Sequence, residues 1–295
     1  MKSVVVYGGS GFLGSYVVEE LARRGHDVLI ADIKAPPPEL EGFPFLTCDI
    51  LDRNAVARAA EGRAAAYNFA GFADLDASIA APRQTMEQNV IGTINVLEAC
   101  RDAKVGRFVY ASSAYALSTK GSFYGISKFT CEKIVEEFDN RHSLPFTIVR
   151  YGSLYGRRAN RENAIFRWIC QAYREGRIVH NGNGEEIREY IHASDAATLS
   201  VDVLEQPGYE NQHIVLTGVE RMKQSEILRM IQEIFNDRIT IEYTDRKFEG
   251  HYTLTPYSLN PSVGRKLVLN RFIDLGQGLV EYAKHIHETE IGDGN

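Results

Sequence analysis

The feature that most constrains this chain lies in its first fourteen residues. Val4, Val5, Val6 and Tyr7 make a short apolar run that reads as a buried strand, and Gly8-Gly9-Ser10-Gly11-Phe12-Leu13-Gly14 follows at once. Gly8, Gly11 and Gly14 stand in GxxGxxG spacing ahead of a helix predicted over residues 14–24. Glycine is needed there because the backbone must approach a pyrophosphate with no Cβ in the way. The helix start then turns its free N–H groups and positive dipole end toward the phosphates. The next strand-like run, residues 27–31, leads into Asp32, where a carboxylate accepts the hydroxyls of an adenosine ribose. Gly8, Gly11, Phe12, Leu13, Gly14 and Asp32 are therefore expected to hold a dinucleotide. A phosphate-loop NTPase competes, since Gly9 and Gly14 precede Ser15, but no lysine stands before that hydroxyl residue. A carboxylate at position 32 repels a 2′-phosphate, which favours NAD over NADP, although Lys34 nearby softens the repulsion.

The alternation continues. Strand-like runs at 27–31, Phe45–Thr47, 65–69, 108–111 and 146–150 are separated by helix-like segments at Arg53–Ala60, 85–104 and 124–141. Continuous apolar strands between helices predict a doubly wound parallel sheet, an α/β Rossmann domain over residues 1–150. After Arg150 the pattern loosens. Helices are expected at Ala164–Glu175, 196–204 and 223–235, strands at Ile187–His192, 213–216 and 240–243, and a glycine-rich turn at 180–185. Residues 151–295 are expected to form a smaller α/β substrate lobe, with some segments returning to the first domain. A Tyr/Pro-rich stretch at 250–261 and a last helix over 273–287 complete the expectation.

Composition narrows the function classes. A net charge of −6 gives no positive field for a polyanion, so nucleic acid is not an expected partner. No apolar run approaches the roughly 20 residues that span a bilayer, and the first strand starts too early for a signal peptide. Four cysteines, Cys48, Cys100, Cys131 and Cys170, lie far apart with no CxxC and read as reduced thiols of a cytoplasmic protein. No metal site is expected; His285 and His287 alternate on a helix and point to different sides.

A second constellation carries chemistry. In Tyr124-Gly125-Ile126-Ser127-Lys128 the phenol and the ammonium are i and i+4 on one helix face. A tyrosine of pKa about 10 is a poor base at neutral pH, and a nearby cation favours its phenolate. Upstream, Ser112-Ser113 ends a strand at the carboxyl edge of the sheet, where a hydroxyl can meet a substrate oxygen.

Together these features resemble the extended short-chain dehydrogenase/reductase family, in its nucleotide-sugar epimerase/dehydratase group. The resemblance implies that Ser113, Tyr124 and Lys128 are the catalytic set. It implies further cofactor contacts by Asp49 and Ile50 at the adenine, Phe69, Ala70 and Gly71 at the fourth strand end, Asn89 near the nicotinamide, and Tyr151. Substrate contacts are implied for Ser113, Ser153, Asn163, Val179, His180 and Arg188. A guanidinium at Arg188 suits a diphosphate; the competing expectation is a surface ion pair with Glu185, Glu186 or Glu189. The sequence also departs from the family. Only ten residues separate Ser113 from Tyr124, where relatives insert a longer loop. Gly152-Ser153 replaces Phe-Asn, and Ala114-Tyr115 replaces the acidic pair of the 4,6-dehydratases, which disfavours dehydration. The 250–261 stretch does not match the usual base-binding pattern. The resemblance implies an NAD-dependent nucleotide-sugar epimerase acting at C4 through a transient 4-keto sugar, with a homodimer built on helices 85–104 and 124–141. Two alternatives stand beside it: an NAD(P)H-dependent reductase of a keto nucleotide sugar, and a non-catalytic dinucleotide-binding sensor or scaffold.

Overall fold

The computed structural model describes residues 1–118, 120–218 and 221–244. The first half runs β1 (Ser3–Tyr7), α1 (Phe12–Arg23), β2 (Asp27–Asp32), β3 (Phe45–Thr47), α2 (Arg53–Ala60), β4 (Ala65–Asn68), α3 (Leu75–Ala80), α4 (Pro82–Met86), α5 (Gly92–Asp102), β5 (Arg107–Ser113), α6 (Ser122–His142) and β6 (Phe146–Tyr151). The second half runs β7 (Ser153–Tyr155), α7 (Ala164–Glu175), β8 (Arg177–Asn181), β9 (Ile187–His192), α8 (Ala193–Glu205), β10 (Gln212–Leu216), β11 (Arg221–Lys223), α9 (Gln224–Ile234) and β12 (Thr240–Thr244).

Seven strands form one parallel sheet in the order β10-β6-β5-β4-β1-β2-β3. The strand alternation explains its two covered faces. Val4 and Val6 pack with Val17, Val18 and Leu21 of α1 and Ala197 and Val201 of α8. Val5 and Tyr7 turn the other way, onto Val56, Leu97, Cys100 and Val135. The order reverses between β1 and β4, so the carboxyl ends of β1, β4 and β5 border the crevice where doubly wound folds bind ligands. Residues beyond 150 also build this sheet, since β10 pairs with β6 and α8 packs on α1.

Two small sheets, β11-β9-β7 and β12-β8, complete the described residues. Trp168, Ile178, Ile227, Leu228 and Ile231 form a separate core there. Residues 250–261, the helix expected over 273–287, and His285 and His287 lie outside the described residues.

Two expectations are corrected. The helix predicted over 85–104 is three pieces, α4, a π-turn at Glu87–Ile91 and α5. The extra residue of the wide turn accompanies the buried Asn89, whose amide bonds outside its own helix. The glycine-rich turn begins at Gly182, not residue 180, because His180 and Asn181 pair in parallel register with Tyr243 and Thr244.

Candidate active site

The glycine bend is a tight fit against its surroundings. Gly8 has φ +76°, and a Cβ there would lie 2.5 Å from the backbone N of Ala70. A Cβ on Gly14 would lie 2.2 Å from the carbonyl oxygen of Gly8. Only glycine lets β1, α1 and the end of β4 come this close. No side chain caps α1; its N-cap is Gly11, so Phe12, Leu13 and Gly14 bring an uncapped first turn to the crevice. The Asp32 carboxylate accepts hydrogen bonds from the N–H of Ser10 at 3.0 Å and of Lys34 at 3.0 Å, which hold it beside the bend. A glycine cradle, an uncapped helix start and a fixed carboxylate fit a dinucleotide.

The neighbouring strand ends are braced by side-chain amides. Ile50 is buried against Gly92, and its carbonyl accepts from Asn95 at 2.9 Å, while Asp49 accepts from the N–H of Leu51 at 2.9 Å. At the end of β4, Ala70 donates to Asn68 Oδ1 at 3.1 Å. Gly71 has φ +148° and leaves room for Asn89, whose Oδ1 a Cβ would approach to 2.5 Å. Asn89 accepts from the N–H of Phe72 at 2.6 Å and donates to Ser127 Oγ at 2.8 Å, and Ser127 Oγ donates to the carbonyl of Tyr124 at 2.7 Å. One amide thus ties the β4 loop to the first turn of α6. Phe69 stacks on Tyr67 and tilts against Tyr151. The Tyr151 hydroxyl lies 2.7 Å from Ser200 Oγ, inside the core rather than toward the crevice.

Sequence placed a serine, a tyrosine and a lysine here, and the fold brings their elements together. Ser113 is buried at the end of β5, and its Oγ accepts from the N–H of Tyr115 at 3.3 Å. Its neighbour Ser112 points the other way and donates to Glu132 at 2.5 Å. Lys128 is 7% exposed and donates to the carbonyl of Ala111 at 2.8 Å. Its Nζ lies 5.8 Å from the Tyr124 ring centroid and 5.1 Å from that of Tyr110. Burial pushes the Lys128 pKa below the ordinary lysine value, while Cys131 and the Glu132 carboxylate act in the opposite direction. Tyr124 is half-buried on the first turn of α6.

The short connection before α6 is organised around Tyr115. A 3-10 turn at Ala114–Leu117 sets its ring edge-on to Tyr124 at 6.3 Å. Gly121, at φ +100°, passes it where a Cβ would lie 2.8 Å from Tyr115 Cδ1. Tyr115 was read in the sequence only as the replacement for an acidic residue. Ser127 and Glu132 were not singled out, although Glu132 continues the i, i+4 stripe of Tyr124 and Lys128.

The second-half candidates already serve the fold. Asn163 caps α7, accepting from the N–H of Phe166 at 3.1 Å and donating to the carbonyl of Leu154 at 2.7 Å. Ser153 is half-buried on β7, and Val179 on β8 donates its N–H to Gln171 at 3.1 Å. His180 is buried, edge-on to Trp168 and Tyr243, with Nε2 3.6 Å from Glu186. Burial lowers its pKa, opposed by the Glu186 carboxylate. Arg188 is 6% exposed, so the expectation of a surface ion pair is corrected. Among the neighbouring glutamates, Glu185 pairs with Lys223 at 2.7 Å and Glu189 with Arg221 at 2.8 Å. Arg188 Nη1 donates to the Ile187 carbonyl at 3.0 Å.

Comparison with known proteins agrees with this architecture. Residues 4–217 match the model of the NAD-dependent epimerase/dehydratase family. The chain is 25% identical over 270 residues to an uncharacterized UDP-glucose epimerase of Bacillus subtilis, covering 82% of this chain and 85% of that one. It is 29% identical over 310 residues to a UDP-glucose 4-epimerase of Neisseria meningitidis serogroup A, covering 88% and 86%. A solved structure of UDP-glucuronic acid 4-epimerase from Bacillus cereus, in complex with UDP-glucuronic acid and NAD, superposes with a TM-score of 0.79 at 22% identity, covering 86% of this chain and 89% of that one. The last likeness establishes the fold. With a family model spanning β1 to the end of β10, and the glycine cradle it requires, this chain belongs to the NAD-dependent epimerase/dehydratase family, an NAD-dependent enzyme of the extended short-chain dehydrogenase/reductase type.

Proposed function

We propose that the protein interconverts the C4 epimers of a UDP-linked sugar. One observation carries the proposal: a buried ammonium, Lys128, lies 5.8 Å from the ring of Tyr124, one helical turn away, beside the strand end that carries Ser113. Tyr124 takes the proton of the sugar 4-hydroxyl and returns it to that same oxygen after the transient 4-keto sugar has turned over in the pocket. Lys128 favours the phenolate form of that tyrosine, and Ser113 steadies the reacting oxygen. Gly8, Gly11, Phe12, Leu13, Gly14 and Asp32 would hold NAD, which when bound would take the C4 hydride from one face of the sugar and give it back to the other. Arg188 holds the diphosphate as a planar fork. Ser153, Asn163, Val179 and His180 serve the nucleotide side; residues 1–150 serve the cofactor and residues 151–295 the substrate. Ala114-Tyr115 offers no acidic pair, so elimination of water from the sugar is not supported.

A homodimer is the assembly we propose, supported by apolar side chains left exposed on α6, namely Phe123, Ile126 and Phe129. Light scattering at micromolar concentration is expected to give twice the chain mass. The four free cysteines, three of them buried, support a reducing, cytoplasmic location.

The test is conversion of UDP-glucose, UDP-N-acetylglucosamine and UDP-glucuronate with no added cofactor. Wild type is expected to form the C4 epimer of at least one, and Tyr124→Phe to turn over about 10² times more slowly or less while remaining folded. Near-normal turnover by that variant would refute the base. No turnover on any of the three, with NAD bound, would favour a silent sensor.

A further inference from the structure

Glu132 is fully buried, and none of the steps above uses it. Its carboxylate accepts from Ser112 Oγ at 2.5 Å and from Arg150 Nε and Nη2 at 2.9 and 2.6 Å. Ser112 and Arg150 are register partners on β5 and β6, so one carboxylate grips both strand ends at once. The grip extends outward through His213. A guanidinium only donates, so the Nδ1 that lies 2.9 Å from Arg150 Nη2 is an acceptor. The ring proton is therefore on Nε2, which donates to Glu136 at 2.9 Å. Tyr124, Lys128 and Glu132 follow one another at i, i+4 and i+8 on α6. Lys128 is anchored to the carbonyl of Ala111, Glu132 to the hydroxyl of Ser112, and the next residue on that strand is Ser113.

We propose that Glu132 is a positioning residue for the active site: through Ser112 and Arg150 it fixes how α6 lies against the end of β5, and so the placement of the Tyr124 phenol and Lys128 ammonium relative to the Ser113 hydroxyl. The proposal rests on the assignment of those three residues as the catalytic set. It also has an electrostatic consequence. Glu132 and Arg150 are close to neutral as a pair, and Glu132 stands about 12 Å along the helix from Tyr124. Removing the carboxylate alone leaves a bare cation that favours the phenolate.

The test uses the NAD-loaded protein and two readouts. The first is kcat and KM on whichever of UDP-glucose, UDP-N-acetylglucosamine or UDP-glucuronate the wild type converts. The second needs no sugar: ultraviolet difference titration of the Tyr124 phenolate, with Tyr124→Phe as the blank. Glu132→Gln is expected to lower kcat about 10-fold or more, with KM within about 3-fold. It should also move the phenolate midpoint down by about half a pH unit. Glu132→Gln with Arg150→Met removes both charges and should restore the midpoint while kcat stays low. Ser112→Ala keeps both charges and loses one anchor; kcat should fall about 3-fold with an unchanged midpoint. If Glu132→Gln does not fold, the double variant and Ser112→Ala decide. Folded variants with wild-type kcat and wild-type midpoint overturn the proposal, as does a loss confined to thermal stability. Turnover by Tyr124→Phe would instead overturn the catalytic assignment, so the two failures are distinguishable.

Discussion

The crevice at the carboxyl edge of the sheet and the elements that follow β6 use their polar atoms in opposite ways. Around the glycine bend the fold leaves groups open. The first turn of α1 has no side-chain cap, and Asp32 is held in place by backbone N–H groups. In the second half the candidate residues have local duties. Asn163 caps α7, His180 packs between Trp168 and Tyr243, and Val179 is tied to Gln171. The glycine bend is thus rigid by backbone necessity, whereas the proposed nucleotide side is built from residues that also hold the second-half elements together. Outside the bend glycines, substitutions in the first region should separate function from stability, and those in the second should not.

The largest effect is expected at Lys128. Lys128→Met should lower turnover by about 10³, because the tyrosine loses the cation that favours its phenolate. Its melting temperature at neutral pH should equal or exceed that of the wild type, since a buried ammonium is removed. The sign follows from burial, which depresses the folded pKa below the ordinary value of 10.5. Between those two values the unfolded chain holds the proton more tightly, so wild-type stability relative to the variant rises with pH. Differential scanning calorimetry at neutral and alkaline pH measures both. A clear drop in melting temperature would place Lys128 among structural residues and break the contrast.

Next comes Gly14→Ala. Its Cβ would meet the Gly8 carbonyl at 2.2 Å, and backbone cannot move aside cheaply. NAD affinity should fall by about 30-fold or more, read by fluorescence titration of the stripped protein. Arg188→Lys should be smaller: KM for the UDP-sugar up by about 10-fold, with kcat and NAD affinity unchanged, because an ammonium cannot reproduce a planar fork. Smallest is Asn163→Ala, expected to cost about 1 kcal/mol of stability as a lost cap. Chemical denaturation together with KM sharpens the comparison; unchanged stability with a raised KM would show a residue reserved for the ligand.

The legibility of the sequence followed the same division. The strand–bend–helix start was readable because Gly8 and Gly14 answer a steric demand that no other residue meets, and Asp32 follows at a fixed distance. The Tyr124–Lys128 face was readable from helical periodicity. The π-turn at Glu87–Ile91 was not, since Asn89 bonds to Phe72 and Ser127, which are remote in sequence. Glu132 was missed for the same reason: its partners Ser112 and Arg150 come from two strands that meet only once the sheet is assembled. Arg188 was read as a diphosphate ligand with a surface ion pair as the competing expectation; its burial was not legible, because it follows from the position of β9 between β11 and β7. The shortened loop before α6 was visible as a length, but its closure by Tyr115 over Gly121 was not.

The central claim is that Tyr124 works a redox-neutral cycle at C4, and isotope retention tests it most directly. Wild-type protein carrying its bound NAD is incubated in D2O with UDP-glucose, UDP-N-acetylglucosamine and UDP-glucuronate, and the products are followed by NMR. The account predicts a C4 epimer that keeps its original hydrogen at C4, with no net consumption of reduced dinucleotide. Deuterium at C4, or one reduced dinucleotide consumed per product formed, would contradict it.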